Sequence, residues 1–256
     1  MSLLVKNGTI VTATDNYQAD IYCEDEKITQ IATQIDPPAG KEIEIIDATG
    51  KYVFPGFIDP HVHIYLPFMG TYSKDDYESA SKAALVGGTT TLIEMCCPSR
   101  AEEPLEAFEL WCSKAEGLAA VDYTFHMGVT RFDEATESQL REIVSRGISS
   151  FKIFLAYLGA FGIDDTELYH TLKLAKELGV IVTAHCENAT AIVELQKELL
   201  AAGKTGTEFH EPSHPTIVEA EGVHHLMTFA EMTGAHIYVV HTSCDEAIQA
   251  AYAARY

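Results

Sequence analysis

Apolar residues fall along this chain in two rhythms, and the change between them comes near residue 53. Before it, short stretches alternate apolar and polar positions, the period of a half-buried strand. LLVKNGTIVT carries an Asn-Gly pair between apolar runs and predicts a tight hairpin there. ADIYCEDEKITQIA and EIEIIDATGKYVFPG repeat the alternation. Residues 1–52 are therefore expected to form a small antiparallel sheet, which at that size needs something else to pack against.

From Val53 onward six longer apolar runs appear: VFPGFIDPHVH, TTTLIEM, DYTFHMGV, SSFKIFLAY, VIVTAHCE and HIYVVHTS. Helical segments separate most of them. SKDDYESASKAALVGG opens with a serine cap and stops at glycine, and SQLREIVSRG and DTELYHTLKLAKELG follow the same plan with apolar residues three and four apart. Strand and helix alternating at a pitch of roughly 30 residues imply parallel strands with crossover helices, either an open doubly wound sheet or a barrel. The stretch from Asn188 to Ala235 is longer and must hold at least one extra helix or loop.

Composition narrows the field. With 47% hydrophobic and 21% charged residues, the chain has the balance of a soluble globular protein. No apolar run approaches the roughly 18 residues that span a bilayer, and MSLLVKNGTIV lacks the pattern of a secretory leader, so no membrane role and a cytoplasmic location are expected. A formal net charge of -21 repels phosphate backbones and argues against a nucleic-acid partner. The six cysteines form no CxxC pair; four lie in or beside apolar strand-like runs and read as buried free thiols, and the set fits a reduced compartment.

The polar residues inside the apolar runs carry the chemistry. His61 and His63 are two apart at the end of the first run, on one face of a strand, where a single metal ion could take both imidazoles. Alone, His-x-His is a weak signal. But His185 and His241 lie near the ends of two further runs, so four histidines share the carboxyl end of predicted parallel strands. Barrels of alternating strands and helices build their active sites at that end, and imidazole is the commonest zinc ligand. His126, mid-strand, and His170, His210, His214, His224, His225 and His236, on helices or in the long insertion, are read as non-ligands.

Lys152 stands in the middle of SSFKIFLAY, with Ser150, Phe154 and Ala156 on its face and Phe151, Ile153 and Leu155 on the other. Such a lysine either reaches the surface with its long stem or loses its charge. Nearby cations favour the free amine, and a free amine can take up carbon dioxide. The resulting carbamate presents two oxygens, like a carboxylate, and could bridge two metal ions.

FPGFIDPHVH, SSFKIFLAY, VIVTAHCEN and VVHTSC resemble the strand-end motifs of the amidohydrolase superfamily. The stretch HVHIYLPFMGTYSKDDYESASKAALVGGTTTLIEMCCPSR is similar to the D-hydantoinases and dihydropyrimidinases, and the resemblance runs over essentially the whole chain. It implies an α/β fold: part of a small N-terminal β-sandwich over residues 1–52 and a TIM-like barrel over 53–256. It implies two zinc ions, His61 and His63 on the more buried, His185 and His241 on the more exposed, and Lys152 carboxylated and bridging both. Tyr157 would stabilise an oxyanion, and Leu66, Phe68, Phe154 and Phe161 would line a pocket for the substituent of the substrate ring.

The implied reaction is hydrolytic opening of a small cyclic amide, a 5-substituted hydantoin or 5,6-dihydropyrimidine, by a hydroxide bridging the two ions, in a homotetrameric enzyme of pyrimidine catabolism. Rivals are an allantoinase or dihydroorotase type, or a non-catalytic dihydropyrimidinase-like scaffold that binds proteins. The aromatic-rich Leu66-Pro67-Phe68-Met69 loop suits a bulky apolar substituent better than the carboxylate of dihydroorotate, and a scaffold would tend to lose metal ligands. The pattern departs from the family in one respect. Six of eight barrel strands are legible, and the aspartate that the family places on the eighth as metal ligand and general base is not among these residues. By itself this stretch is expected to be inactive.

Overall fold

The computed structural model describes residues 2–68 and 70–254, and for Phe68 the backbone alone. The chain divides into two units, each packed chiefly against itself. One runs to Ile58 and takes back Gly88–Thr90; the other holds Asp59–Gly87 and everything from Thr91 onward.

The N-terminal unit is a five-stranded sheet of β1 (Ser2–Val11), β2 (Asn16–Glu24), β3 (Lys27–Ala32), β4 (Ile43–Asp47) and β5 (Tyr52–Val53). Strands β1, β2 and β3 pair antiparallel, whereas β4 and β5 join β1 in parallel. The all-antiparallel expectation is thus corrected: the long link between β3 and β4 lets the chain return in the same direction, which a two-residue turn cannot do.

The Asn-Gly hairpin is corrected too. β1 passes straight through Asn7-Gly8, and the pair makes a bulge in which the register against β2 slips between Val5 and Gly8. Asn7 sits at φ +62°, and its N–H donates to Oδ1 of the buried Asp20 at 2.8 Å. The left-handed propensity that suits Asn-Gly to hairpins serves equally in a bulge. The tight turn lies instead at Asp25-Glu26, both at positive φ.

The second unit carries the strands expected to bear the chemistry. Its elements are β6 (Phe57–Val62), β7 (Pro67–Phe68), β8 (Thr71–Tyr72), α1 (Tyr77–Val86), β9 (Thr89–Cys96), α2 (Pro104–Ala115), β10 (Asp122–Gly128), α3 (Glu134–Ser145), β11 (Ser150–Phe154), α4 (Asp165–Leu178), β12 (Ile181–His185), α5 (Ala189–Ala201), α6 (His210–Ser213), α7 (Thr216–Thr233), β13 (Ile237–Val239) and α8 (Asp245–Ala253). Strands β6, β9, β10, β11, β12 and β13 form one sheet in chain order, with parallel ladders from β9 to β13. It is an α/β sheet of barrel type with six strands. Although β6 and β13 are its two edges, the rings of His61 and His241 come within 5.1 Å of each other, so the sheet curls until its edges approach at one end.

The helices form where their caps are satisfied. α1 is capped by Asp76, whose carboxylate accepts from the N–H of Ser79 while the Ser79 hydroxyl accepts from the Asp76 N–H. The serine cap expected at the head of that segment is therefore corrected to an aspartate three residues on. α4 has the same reciprocal box in Asp164 and Glu167 and ends at Gly179, φ +70°, a conformation glycine adopts without cost. α2 escaped the sequence reading; it starts at Pro104, whose fixed φ suits a first helical position. Leu140 and Ile143 of α3 and Leu168, Leu172 and Ala175 of α4 bury one face of each helix against Phe151, Ile153, Val182 and Trp111. Full burial of each large side chain contributes about 2 kcal/mol. Phe151 and Ile153 flank Lys152 in β11, so core packing fixes where that lysine stands.

Candidate active site

His61 lies in β6, His63 one residue beyond its end, His185 on the last residue of β12, and His241 two residues beyond β13. The structure brings the four together. Ring centroids are 5.2 Å apart for His61 and His63, 5.1 Å for His61 and His241, and 4.8 Å for His185 and His241. Lys152 lies wholly buried in β11, register-paired with Thr183, while Phe154 two residues on pairs with His185. Among the described residues its Nζ has no hydrogen-bond partner, and it sits 4.9 Å over the Phe154 ring.

His63, Lys152, His185 and His241 line one cleft of about 220 Å³ together with Leu66, Phe154, Tyr157 and Phe161. Phe68 was expected there as well; its side chain lies outside the described residues. Behind the cleft, Leu66, Phe154 and Phe161 pack with Met95 and Cys97.

Burial sets the charge states. It draws the Lys152 amine down to about 8, against the opposing pull of Cys97 and Cys186. It also holds His61 down to about 3 and His241 to about 4, with the Lys152 charge adding to the effect. His63 is lowered for the same two reasons. Near neutral pH these three imidazoles are uncharged, the state in which imidazole ligates metals. Among the described residues no three His, Cys, Asp or Glu side chains stand converged as a ready metal cage. Lys152, which lines the same cleft, adds an amine that has no hydrogen-bond partner among the described residues.

Three supporting residues escaped the sequence reading. Nε2 of buried His126 lies 2.9 Å from the carbonyl oxygen of Pro60 and must donate, so Nδ1 accepts from the Ser150 hydroxyl at 2.5 Å. A histidine read as bland thus ties the strand entering His61 to the strand bearing Lys152. Glu94, buried in β9, accepts through Oε1 from the N–H groups of Ile64 (2.8 Å) and Tyr65 (3.0 Å), the two residues after His63. An acid inside TTTLIEM was the available signal, of the same kind that marked Lys152. Glu187 accepts from Nε2 of His185 at 2.6 Å, while His185 Nδ1 is 3.3 Å from His241 Nε2. Burial alone would raise the Glu187 carboxyl, but the His185 bond outweighs it and holds it below its ordinary range.

Two residues of the site also have positive φ. Tyr157 sits at φ +59° and His241 at φ +37°. For residues with a Cβ this costs about 1–3 kcal/mol each and persists only where the surroundings impose it. After Tyr157 the chain folds back sharply. The Tyr157 carbonyl accepts from the N–H groups of Ala160, Phe161 and Gly162, and the Ile163 N–H returns to the Phe154 carbonyl. A Cβ on Gly162 would drive into the carbonyl oxygen of Ala156, so this close approach requires glycine. The Tyr157 ring lies 5.1 Å from that of His185, and burial raises its phenol pKa, keeping the hydroxyl a donor.

Known proteins resemble this chain in sequence and fold. The model of the amidohydrolase family matches residues 52–253. D-hydantoinase of Geobacillus stearothermophilus is 45% identical over 97% of this chain and 52% of its own length. Dihydropyrimidinase of Dictyostelium discoideum is 39% identical over 94% of this chain and 48% of its own. The solved D-hydantoinase (dihydropyrimidinase) of a Thermus species is 65% identical, superimposes with a TM-score of 0.95, and is matched over 98% of this chain and 55% of its own. The chain spans about half the length of the relatives it matches. Its strand-end histidines, its curled parallel sheet and these matches together make the chain a member of the amidohydrolase family, similar to the D-hydantoinases and dihydropyrimidinases.

Proposed function

We propose that the whole protein opens a cyclic amide by hydrolysis, a 5-substituted hydantoin or a 5,6-dihydropyrimidine, at a ring C–N bond. The observation that carries this reading is Lys152, a fully buried amine without a partner among imidazoles held neutral. Near neutral pH an amine of pKa about 8 is uncharged in an appreciable fraction of molecules. The free amine adds carbon dioxide: a C–N bond forms, a proton leaves, and a carbamate anion remains. That would supply oxygen donors beside the imidazoles. On this reading His61 and His63 would hold one zinc ion, His185 and His241 a second, and the Lys152 carbamate would serve both. When bound, the two ions would polarise the ring carbonyl as Lewis acids and lower the pKa of water.

The chain's own groups do the rest. The Tyr157 hydroxyl donates to the oxyanion that develops on the attacked carbonyl, a contact that tightens only as the charge forms. Leu66, Phe154 and Phe161 take the apolar substituent of the ring and set its orientation. Their apolar wall is what disfavours dihydroorotate, whose carboxylate would lose its hydration there. The same reading makes residues 1–52 part of a β-sandwich and 53–256 part of the barrel. It puts the working protein in the cytoplasm as a homotetramer in pyrimidine catabolism; among the described residues no helix is long and apolar enough to cross a membrane.

Purified whole protein, assayed by metal analysis and by ring opening on 5-phenylhydantoin, dihydrouracil, dihydroorotate and allantoin, tests the reading. Two metal ions per chain are expected, with chelator-sensitive turnover of one or both of the first two substrates. Turnover confined to dihydroorotate or allantoin would overturn the substrate class. Turnover that survives complete metal removal would overturn the mechanism.

A further inference from the structure

The fold-back that carries Tyr157 is gripped from outside by one guanidinium. Arg100, in the loop after β9, donates through Nη1 to the Gly162 carbonyl at 2.9 Å and also to the Thr130 carbonyl in the loop after β10. The same side chain bonds both carboxylate oxygens of Glu167, Nη2 to Oε1 at 2.7 Å and Nη1 to Oε2 at 3.1 Å. Glu167 is in turn fixed by the cap of α4, where Oε2 accepts from the Asp164 N–H and its own N–H donates to Asp164. The Arg100 carbonyl accepts from Nη1 of Arg131, and Arg131 is itself bonded to Glu103. Three successive strand-end loops and the start of α4 therefore meet at Arg100.

Gly162 is the residue whose N–H closes on the Tyr157 carbonyl and whose missing Cβ lets the returning limb press on Ala156. The inner side of the fold-back is thus secured by its own hydrogen bonds, and Arg100 holds the outer side to the rest of the barrel unit. A residue at φ +59° returns to an ordinary conformation once its surroundings loosen. Such a change would swing the Tyr157 hydroxyl away from the cleft and part its ring from that of His185.

Resting on the reading of Tyr157 as oxyanion donor, we infer that Arg100, with Glu167 as its anchor, is a positioning residue that keeps Tyr157 in its strained, reactive place. It touches neither substrate nor metal ligands and acts through the backbone of Gly162. A lysine would not replace it. An ammonium is a point donor, whereas this site asks one planar fork to reach two carbonyls and both oxygens of a carboxylate.

The test uses whole, metal-loaded protein with Arg100→Lys, Arg100→Met, Tyr157→Phe and the double variants. Misplacing a reacting group by an ångström costs about 100-fold in rate, so each Arg100 substitution should lower kcat by about 10- to 100-fold, with KM changed little and metal content unchanged. In the Tyr157→Phe background the same substitution should cost less than about threefold, because the group it positions is already gone. Hydrogen exchange supplies an arm that does not depend on catalysis. In the Arg100 variants the amides of Ala160, Phe161 and Gly162 should exchange faster while those of β10 to β12 keep their protection. Unchanged exchange in those three amides overturns the inference, whatever the kinetics. So does an Arg100 effect equally large with and without the tyrosine hydroxyl. If Tyr157→Phe alone keeps full kcat, the assignment of Tyr157 fails instead, and exchange still decides whether Arg100 holds the loop.

Discussion

Lys152 on β11 and Glu94 on β9 both lie wholly inside the second unit, and burial pushes each toward its uncharged form. They differ in what surrounds them. Glu94 has two backbone N–H donors on one oxygen, which explains its presence: it pins the turn after His63. Lys152 has no such partner, and an unpaired buried amine costs stability that packing alone does not justify. Its retention makes chemical sense if the amine is modified. Lys152→Ala in the whole protein should therefore lose metal and lower activity by more than about 100-fold, beyond the 10- to 100-fold typical of removing an outer partner of a metal ligand. Added acetate or propionate should restore part of both. Lys152→Arg should not be rescued, since a guanidinium offers no acceptor oxygens. Full metal occupancy in the alanine variant would remove the lysine from the site.

At the scale of elements, strands and their order were the most legible part of the sequence. Each of the six apolar runs became a strand of one sheet, because a buried parallel strand needs an unbroken apolar stretch and little else of comparable length competes for it. The strand-end histidines were legible for the same reason: their register within the runs placed them at one end of the sheet. Turn chemistry read less well. Asn7-Gly8 and Ser73 each had the right residue type for their expected roles, yet bulge and hairpin share one backbone preference, and Asp76 makes the better cap.

The supports His126, Glu94 and Glu187 were hidden because their partners are mostly backbone groups or side chains that only the fold brings near. The fold-back after β11 could not be read at all. Its controlling feature is the closeness of Gly162 to Ala156, which leaves no mark in composition. Gly162→Ala should destabilise the protein by about 1–3 kcal/mol, as overpacking does, and should lower kcat by displacing Tyr157. Thermal or denaturant unfolding beside kinetics would check it, and a fully stable, fully active alanine variant would mean that the loop yields freely.

The stability of the whole molecule should carry the signature of Glu94. Its folded pKa is about 7 against an ordinary 4.5, so between these values the folded state keeps a proton that the unfolded chain releases. Stability is thus lost as pH rises from about 4.5 through 7, by about 3 kcal/mol in all. His61 and His241 act in the opposite sense: held down to about 3 and 4, they cost stability as pH falls below about 6.5, where the unfolded imidazoles take up protons. The two slopes overlap in the parent. Subtracting the profile of Glu94→Gln, measured by urea unfolding of the metal-free protein from pH 5 to 8, should leave the Glu94 contribution alone. Glutamine still accepts from Ile64 and Tyr65, so the variant should gain on the parent from pH 5 to about 7 and level off toward pH 8. A constant offset across the range would contradict the raised pKa.

The ring contact between His61 and His241 joins the first strand of the sheet to the last. During synthesis, His61 and His63 leave the ribosome on the order of ten seconds or more before His241, at typical elongation rates of about 5–20 residues per second. For that interval the nascent chain offers a local pair of imidazoles and nothing to complete it. If the pair holds a metal as proposed, it would already take a divalent ion weakly, and the unfolded chain would compete with the finished site for the same ion. Part of what the metal would contribute to the native state would thereby be cancelled. Loading after release from the ribosome should then give more uniformly filled sites than loading during translation, because every ligand strand is in place before the first ion arrives.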